Sequence, residues 1–332
     1  MRNCLIFVPL IFTLFLAACG GSQPAAAPEA PTPATLQHVD VGVGFIPNVQ
    51  FAPFYVAQEK GFFATEGLDV ALEYGFENDF VALTAQGERQ FAVAGGDQVI
   101  LARSQGLPVV YVMKWYQRFP VGVAIPADRQ VNSPPELAGH SVGIPGLYGA
   151  SYVAWKALAY TTGLDEAAVE LREIGFTQAE ALSQGKVDAA VVYIVNEPVQ
   201  LGRAGADLTV IEVSDYIDLV SNGLITNQTL IEQNPELVGR LVRGALRGLS
   251  YTIQNPDEAF EITRRFVPDM TDEDAPTQRA VLEAAIQLWR TDRPGLSDPQ
   301  AWADSAAFML NSGLIESAVE VDTLYTNQFV PE

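Results

Sequence analysis

The chain has 332 residues, and its 40 acidic against 19 basic side chains give a net charge of −21. That balance argues against nucleic acid and against an anionic bilayer face as partners. Its only cysteines are Cys4 and Cys19 and its only histidines His38 and His140, so the stretch beyond residue 19 holds no disulfide framework, no cysteine nucleophile and no paired zinc ligands. A chain this long exceeds one comfortable core, which favours two lobes.

Arg2, the apolar run Leu5 to Ala18, and Cys19 followed by Gly20 and Gly21 read as a secretory signal over 1–18. The run falls short of the ~20 apolar residues a membrane span needs. Leu16-Ala17-Ala18-Cys19 resembles the bacterial lipobox, which makes Cys19 the expected lipidation site and the membrane a partner through a lipid anchor. Residues 19–37 follow as an Ala/Pro-rich tether with little apolar surface to offset its ordering entropy. The folded body is therefore expected outside the cytoplasm.

Val39, Val41, Val43 and Phe45 alternate as a strand that Pro47 and Asn48 break, and a helix is expected near 52–65. Leu68, Val70, Leu72 and Tyr74 make a second strand, with a loop at 75–79 and a helix near 79–87. Phe91–Ala94 and Pro108–Val112 are strands on either side of a helix that ends by Gly106. This alternation predicts parallel βαβ units and a doubly wound sheet. Gly122–Ile125 reads as a crossing strand, after which the rhythm restarts with strands at 142–144, 169–174, 188–194 and 208–213. Ser133-Pro134-Pro135-Glu136 and Thr177-Gln178-Ala179-Glu180 both fit capping boxes. Asn222–Thr226 would cross back, and helices follow near 235–253, 257–267, 276–290 and 299–312, with the acidic run Asp272–Asp274 favouring the start of the third. Lobe one is thus 38–125 plus 222–332, with its helical end packed back on it. Lobe two is 126–221, and two crossings near 124–127 and 221–226 form the hinge.

Ligands of open α/β sheets sit beyond the carboxyl ends of the strands. The groups there are Asn48, Gln50, Phe51, Asn78, Asp79, Asp97, Gln98, Trp115 and Tyr116 in lobe one, Tyr148, Tyr193, Asn196 and Glu197 in lobe two, and Asn222 at the hinge. Rings with amides and carboxylates, and almost no arginine, suit a flat heterocycle with a donor and acceptor edge. Taken singly, Trp115 and Tyr193 are more often core than ligand contacts, and Asp97 and Glu197 could equally be helix caps. Pro145–Gly149 lacks the pattern of a phosphate-binding loop and is expected to touch ligand through Tyr148.

Pro47-Asn48, Pro53, Tyr55-Val56-Ala57, Glu59–Phe63 and Gly67-Leu68-Asp69-Val70 resemble the first signature of the periplasmic-binding-protein-like family that includes bacterial pyrimidine-precursor and alkanesulfonate receptors. The resemblance continues through Gly95–Gln98, Gly143–Gly146 and Gln184–Ala189, and so spans most of 39–255. It implies an α/β, two-lobe, type II-like binding-protein fold, a monomer that carries a small-molecule vitamin or precursor to an ABC permease and its ATPase. It implies no cofactor, no metal and no catalytic residue. Pyrimidine-binding members typically carry His where this chain has Phe51, and the synthase branch adds a cysteine-rich motif that is absent here. A phenylalanine there suits a larger ring, and the run Pro47–Tyr55 is similar to that of riboflavin receptors in the family. Riboflavin is the expected ligand. A thiamine-type pyrimidine, an alkanesulfonate, or a pyrimidine-synthase-like enzyme are the alternatives.

Overall fold

A computed structural model describes residues 35–331; the expected signal, Cys19 and the tether up to residue 34 lie outside the described residues. The body from Leu36 onward is one compact unit. Among the described residues no helix is long and apolar enough to cross a membrane.

The alternating valines form β1 (Gln37–Val43), with Val39, Val41 and Val43 fully buried. Asn48 breaks the strand and caps a 3-10 turn, accepting from the Gln50 N–H, and α1 (Ala52–Glu59) begins. The helix expected over 52–65 is two helices. Gly61 takes φ +68, which ends α1 and starts α2 (Phe62–Thr65) in a new direction. β2 (Leu68–Tyr74), α3 (Glu77–Gln86), β3 (Phe91–Gly95), α4 (Gly96–Ser104) and β4 (Val109–Lys114) follow in the expected rhythm.

The chain then enters the second sheet with β5 (Val121–Pro126) and continues through β6 (Ser141–Ile144), α5 (Gly149–Thr162), β7 (Glu170–Glu173), α6 (Gln178–Ser183), β8 (Ala189–Tyr193), α7 (Glu197–Arg203) and β9 (Leu208–Glu212). It returns as β10 (Asn222–Asn227), then α8 (Gln228–Gln233), α9 (Pro235–Gln254), α10 (Pro256–Thr263), α11 (Ala275–Trp289) and α12 (Pro299–Asn311).

Each sheet has five strands, ordered β2-β1-β3-β10-β4 and β7-β6-β8-β5-β9. In each, one strand runs against its neighbours: β10 is antiparallel to β3 and β4, and β5 to β8 and β9. This corrects the expected boundary at 125. Residues 121–126 are hydrogen-bonded inside the second sheet, so the chain crosses at 115–120 and 213–221 rather than near 124–127 and 221–226. Periodicity reports that a segment is a strand; its pairing partners come from tertiary contacts. The first crossing is tied to the strand that the second leads into, because the Asn222 carbonyl at the start of β10 accepts from the N–H groups of both Trp115 and Tyr116, each at 3.1 Å.

α9 carries an apolar stripe of Leu237, Val238, Leu241, Val242, Ala245 and Leu249, all buried. Each such side chain contributes ~1.5–3 kcal/mol when buried, and the stripe lies on α1 and α2. The helical end thus braces the loop that follows β1. The Ser133 box does not close: Glu136 accepts from the Asn132 N–H and the Ser133 hydroxyl, and the Ser133 side chain caps no backbone N–H. The Thr177 box does not form: that hydroxyl donates to the Ile174 carbonyl instead.

Candidate functional site

The carboxyl ends of the parallel strands in both sheets open on one cleft with about 880 Å³ of atom-free space, its open mouth included. The loop after β1 supplies Gly44, Phe45, Gln50 and Phe51, and the loop after β2 supplies Phe76, Glu77 and Asn78. Trp115 and Tyr116 come from the first crossing and Asn222 from the start of β10. The second sheet contributes Pro145, Tyr148 and Gly149–Ser151 after β6, Phe176 and Gln178 after β7, Tyr193 at the end of β8, and Asn196 and Glu197 after it.

Of the expected residues, Gln50, Phe51, Asn78, Trp115, Tyr116, Tyr148, Tyr193, Asn196, Glu197 and Asn222 line this cleft. Asn48 does not. It faces an adjoining depression and serves Gln50, accepting from its backbone N–H at 3.0 Å and its side-chain amide at 3.2 Å. Gln50 Oε1 in turn accepts from the Tyr116 hydroxyl at 3.2 Å, so this amide is held at both ends. Asp79 is exposed in the first turn of α3, where a carboxylate suits the helix dipole, and stays out of the cleft. Asp97 and Gln98 are buried beneath the floor in the first turn of α4, bonded to each other at 2.5 Å. All three are polar groups near a strand end; the turn of the helix carries them off the cleft wall.

The rings fall into two sets. Phe51, Trp115 and Tyr116 form the inner wall, with Phe51 and Trp115 centroids 5.9 Å apart and Trp115 and Tyr116 5.0 Å apart. Trp115 is only 2% exposed and also meets Phe54 and Trp289, so it is core and wall together. The second set rims the mouth. Phe45 meets Phe176 edge to face at 4.9 Å, and Phe76 meets Phe176 at 6.1 Å and Tyr148 at 6.2 Å. Phe45 and Phe76 follow strands of the first sheet, Tyr148 and Phe176 strands of the second, so ring contacts bridge the cleft. Phe76 is 51% exposed and Phe176 40%.

Phe45, Phe76, Glu77, Phe176 and Gln178 were absent from the expected set. Each stands within a few residues of a strand's carboxyl end, which is the local signal that marks them.

Three carboxyls set the electrostatics. Glu77 Oε1 accepts from the Gly95 N–H at 2.6 Å. Gly44 makes room for it, since a Cβ there would lie 2.6 Å from the Glu77 Cβ. Burial, with repulsion from Asp97 added, pushes Glu77 up to about 8. Burial pushes Asp97 up to about 6, against the pull of its bond from Gln98, and its Oδ1 has no hydrogen-bond partner. On the other wall Glu197 accepts from the Tyr193 N–H at 3.0 Å and the Asn196 amide at 3.1 Å, yet burial holds it at about 7. Glu197 is therefore both a local tie ahead of α7 and part of the wall. Burial, then the nearby Glu77 charge, raise the Tyr193 phenol well above its ordinary range. No lysine, arginine or histidine is among the described residues that line the cleft. Such a wall offers stacking surface, neutral amides and proton-holding carboxyls; it suits a flat ligand with N–H and O–H groups.

The NMT1/THI5 like family model matches residues 48–259. The riboflavin-binding protein RibY of Chloroflexus aurantiacus is 40% identical over 346 residues, covering 100% of this chain and 99% of that protein. The formylaminopyrimidine-binding protein of Halalkalibacterium halodurans is 30% identical, covering 98% of this chain and 99% of its own length. Among solved structures, the periplasmic aliphatic sulphonate binding protein SsuA of Escherichia coli superposes with a TM-score of 0.70 at 12% identity, covering 89% of this chain and 94% of that one. The architecture is that of the periplasmic binding proteins.

Proposed function

The chain belongs to the NMT1/THI5-like family, and from that premise we propose that it is a solute-binding protein that captures riboflavin. The observation that carries the reading is the wall itself. Rings from both sheets meet over a cleft whose polar side chains are amides, carboxyls and hydroxyls without a cation. The isoalloxazine ring offers a broad face for stacking and a uracil-like edge with one N–H between two carbonyls. Gln50, Gln178, Asn196 and Asn222 present both donors and acceptors to such an edge. Ribityl hydroxyls would donate to Glu77 or Glu197.

No bond is made or broken in this reading. The relatives with the higher identities carry binding-protein names, whereas the pyrimidine phosphate synthase of Legionella pneumophila is 22% identical. The mature protein would be held at the outer side of the cell membrane by lipid on Cys19, and would hand its cargo to an ABC permease and its ATPase. Radiolabelled palmitate incorporation that is lost in Cys19→Ser tests the anchor.

The ligand is tested by titration. Riboflavin added to the purified body should have its own emission quenched and should quench tryptophan emission, with Trp115 near the cleft. A formylaminopyrimidine is the second reading, resting on the 30% identical relative. Calorimetry with both ligands decides: tighter binding of the pyrimidine would reassign the cargo.

A further inference from the structure

Three of the amides that line the cleft are already engaged. Gln50 is held between Asn48 and Tyr116, Asn196 donates to Glu197 and accepts from Gln200, and Asn222 meets Tyr193. Asn78 is exposed and keeps its water. Gln178, the first residue of α6, is different. It is 5% exposed, and none of the side-chain hydrogen bonds among the described residues uses its amide. A buried amide with neither end bonded leaves its desolvation uncompensated, so its donors and acceptors are free for what enters the cleft. Its position says what that is. Phe51, Trp115 and Tyr116 line the cleft alone, whereas Gln178, Asn196 and Glu197 line both the cleft and the adjoining depression. That depression has about 940 Å³ of atom-free space, its open side included. Gln178 thus stands on the border between the ring wall and a second hollow.

We propose that Gln178 anchors a polyol subsite: the hydroxylated chain of the ligand leaves the ring wall, bonds to the Gln178 amide and extends into the depression. This rests on the riboflavin reading, in which the chain is the ribityl group. Each hydroxyl offers one donor and two acceptor positions, so neighbouring hydroxyls can give to the Gln178 carbonyl oxygen and take from its NH₂ at once. Glu197, on the same border, accepts from the Tyr193 N–H and the Asn196 amide and keeps lone pairs for a further O–H. Gln200, which fixes the Asn196 amide, lines the depression alone. The ring edge is left to Gln50 and Asn222, which line the cleft and not the depression.

Calorimetric titration of riboflavin and lumiflavin, the same ring with a methyl group in place of the ribityl chain, into wild type and Gln178→Met tests this. Wild type should hold riboflavin at least ~10-fold more tightly than lumiflavin. Gln178→Met keeps the length of the side chain and removes the amide. It should reduce that preference about 10-fold, through weaker binding of riboflavin. Equal binding of both flavins by wild type overturns the inference and leaves the vitamin reading standing. So does an unchanged preference in the variant, a loss shared by both flavins included, since that puts Gln178 on the ring. If wild type binds neither flavin, both fall. Should Gln178→Met fail to fold, Gln178→Ala is read by the same criteria, and with neither variant folded the wild-type preference decides.

Discussion

Tyr193, the last residue of β8 in the second sheet, meets Asn222, the first residue of β10 in the first sheet, with hydroxyl-to-amide distances of 3.3 and 3.4 Å. The pair lies beside the first crossing, since the Asn222 carbonyl also ties down Trp115 and Tyr116. A side-chain bond of this kind contributes ~0.5–1.5 kcal/mol. Asn222→Ala should therefore raise the riboflavin dissociation rate about 3- to 10-fold while leaving the fold intact, since its backbone bonds remain. Stopped-flow recovery of flavin emission reads this, and an unchanged rate would remove the pair from the closed state.

The rings at the mouth lead to a kinetic prediction. Phe176 touches both Phe45 and Phe76 across the cleft. Such contacts are each worth ~0.5–1.5 kcal/mol beyond their area. Phe176→Ala should speed ligand release about tenfold and change association little. Loss of affinity through a slower on-rate would contradict a closing role for these rings.

The carboxyls make stability depend on pH. Glu77, Asp97 and Glu197 all have folded-state pKa values raised above the ordinary carboxylate range, to about 8, 6 and 7. Between roughly pH 4 and 8 the folded chain therefore binds more protons than the unfolded one, and stability falls as pH rises. Their contribution is complete below the unfolded pKa near 4 and is lost as pH climbs through the folded values. The melting temperature of the ligand-free protein should drop from pH 5 to pH 8.5, and Glu77→Gln should flatten that slope. A wild-type melting temperature that rises over this range would show that these groups ionise freely.

Two helix glycines should respond in opposite directions to alanine. In α9, a Cβ on Gly248 would lie 2.1 Å from the Pro53 carbonyl oxygen and 2.8 Å from the Ala57 Cβ, so the two helices would have to move apart. Gly248→Ala should cost about 1–3 kcal/mol. Gly202 in α7 has open space around its Cβ position, and Gly202→Ala should stabilise by ~0.4–1 kcal/mol. Urea titrations of both variants give the comparison; equal signs would refute the close packing of α9 on α1.

Much of this was legible in the chain because its signals are local. The valines of β1, the break at Pro47-Asn48 and the stripe on α9 each declare an element within a few residues. The rule that ligands sit past strand ends brought Gln50, Phe51, Tyr116 and Glu197 to one cleft. What stayed hidden depends on distant partners. Glu77 and Asp97 converge only because both flank Gly95, and Phe45 meets Phe176 only when two sheets face each other. The membership of 121–126 in the second sheet follows from pairing with β8 and β9, which no periodicity encodes.

The placement of β10 between β3 and β4 has a consequence for assembly. A ribosome delivers β1 to β4 early, but the strand that joins β3 to β4 arrives only after the whole second sheet has been made. Until residues 222–227 emerge, the first sheet is two separate pieces with open edges. Closing it demands contacts between remote parts of the chain, a slow step. The nascent half-molecule is therefore the form most exposed to aggregation, and a chain truncated before Asn222 should not yield a stable amino-terminal fragment.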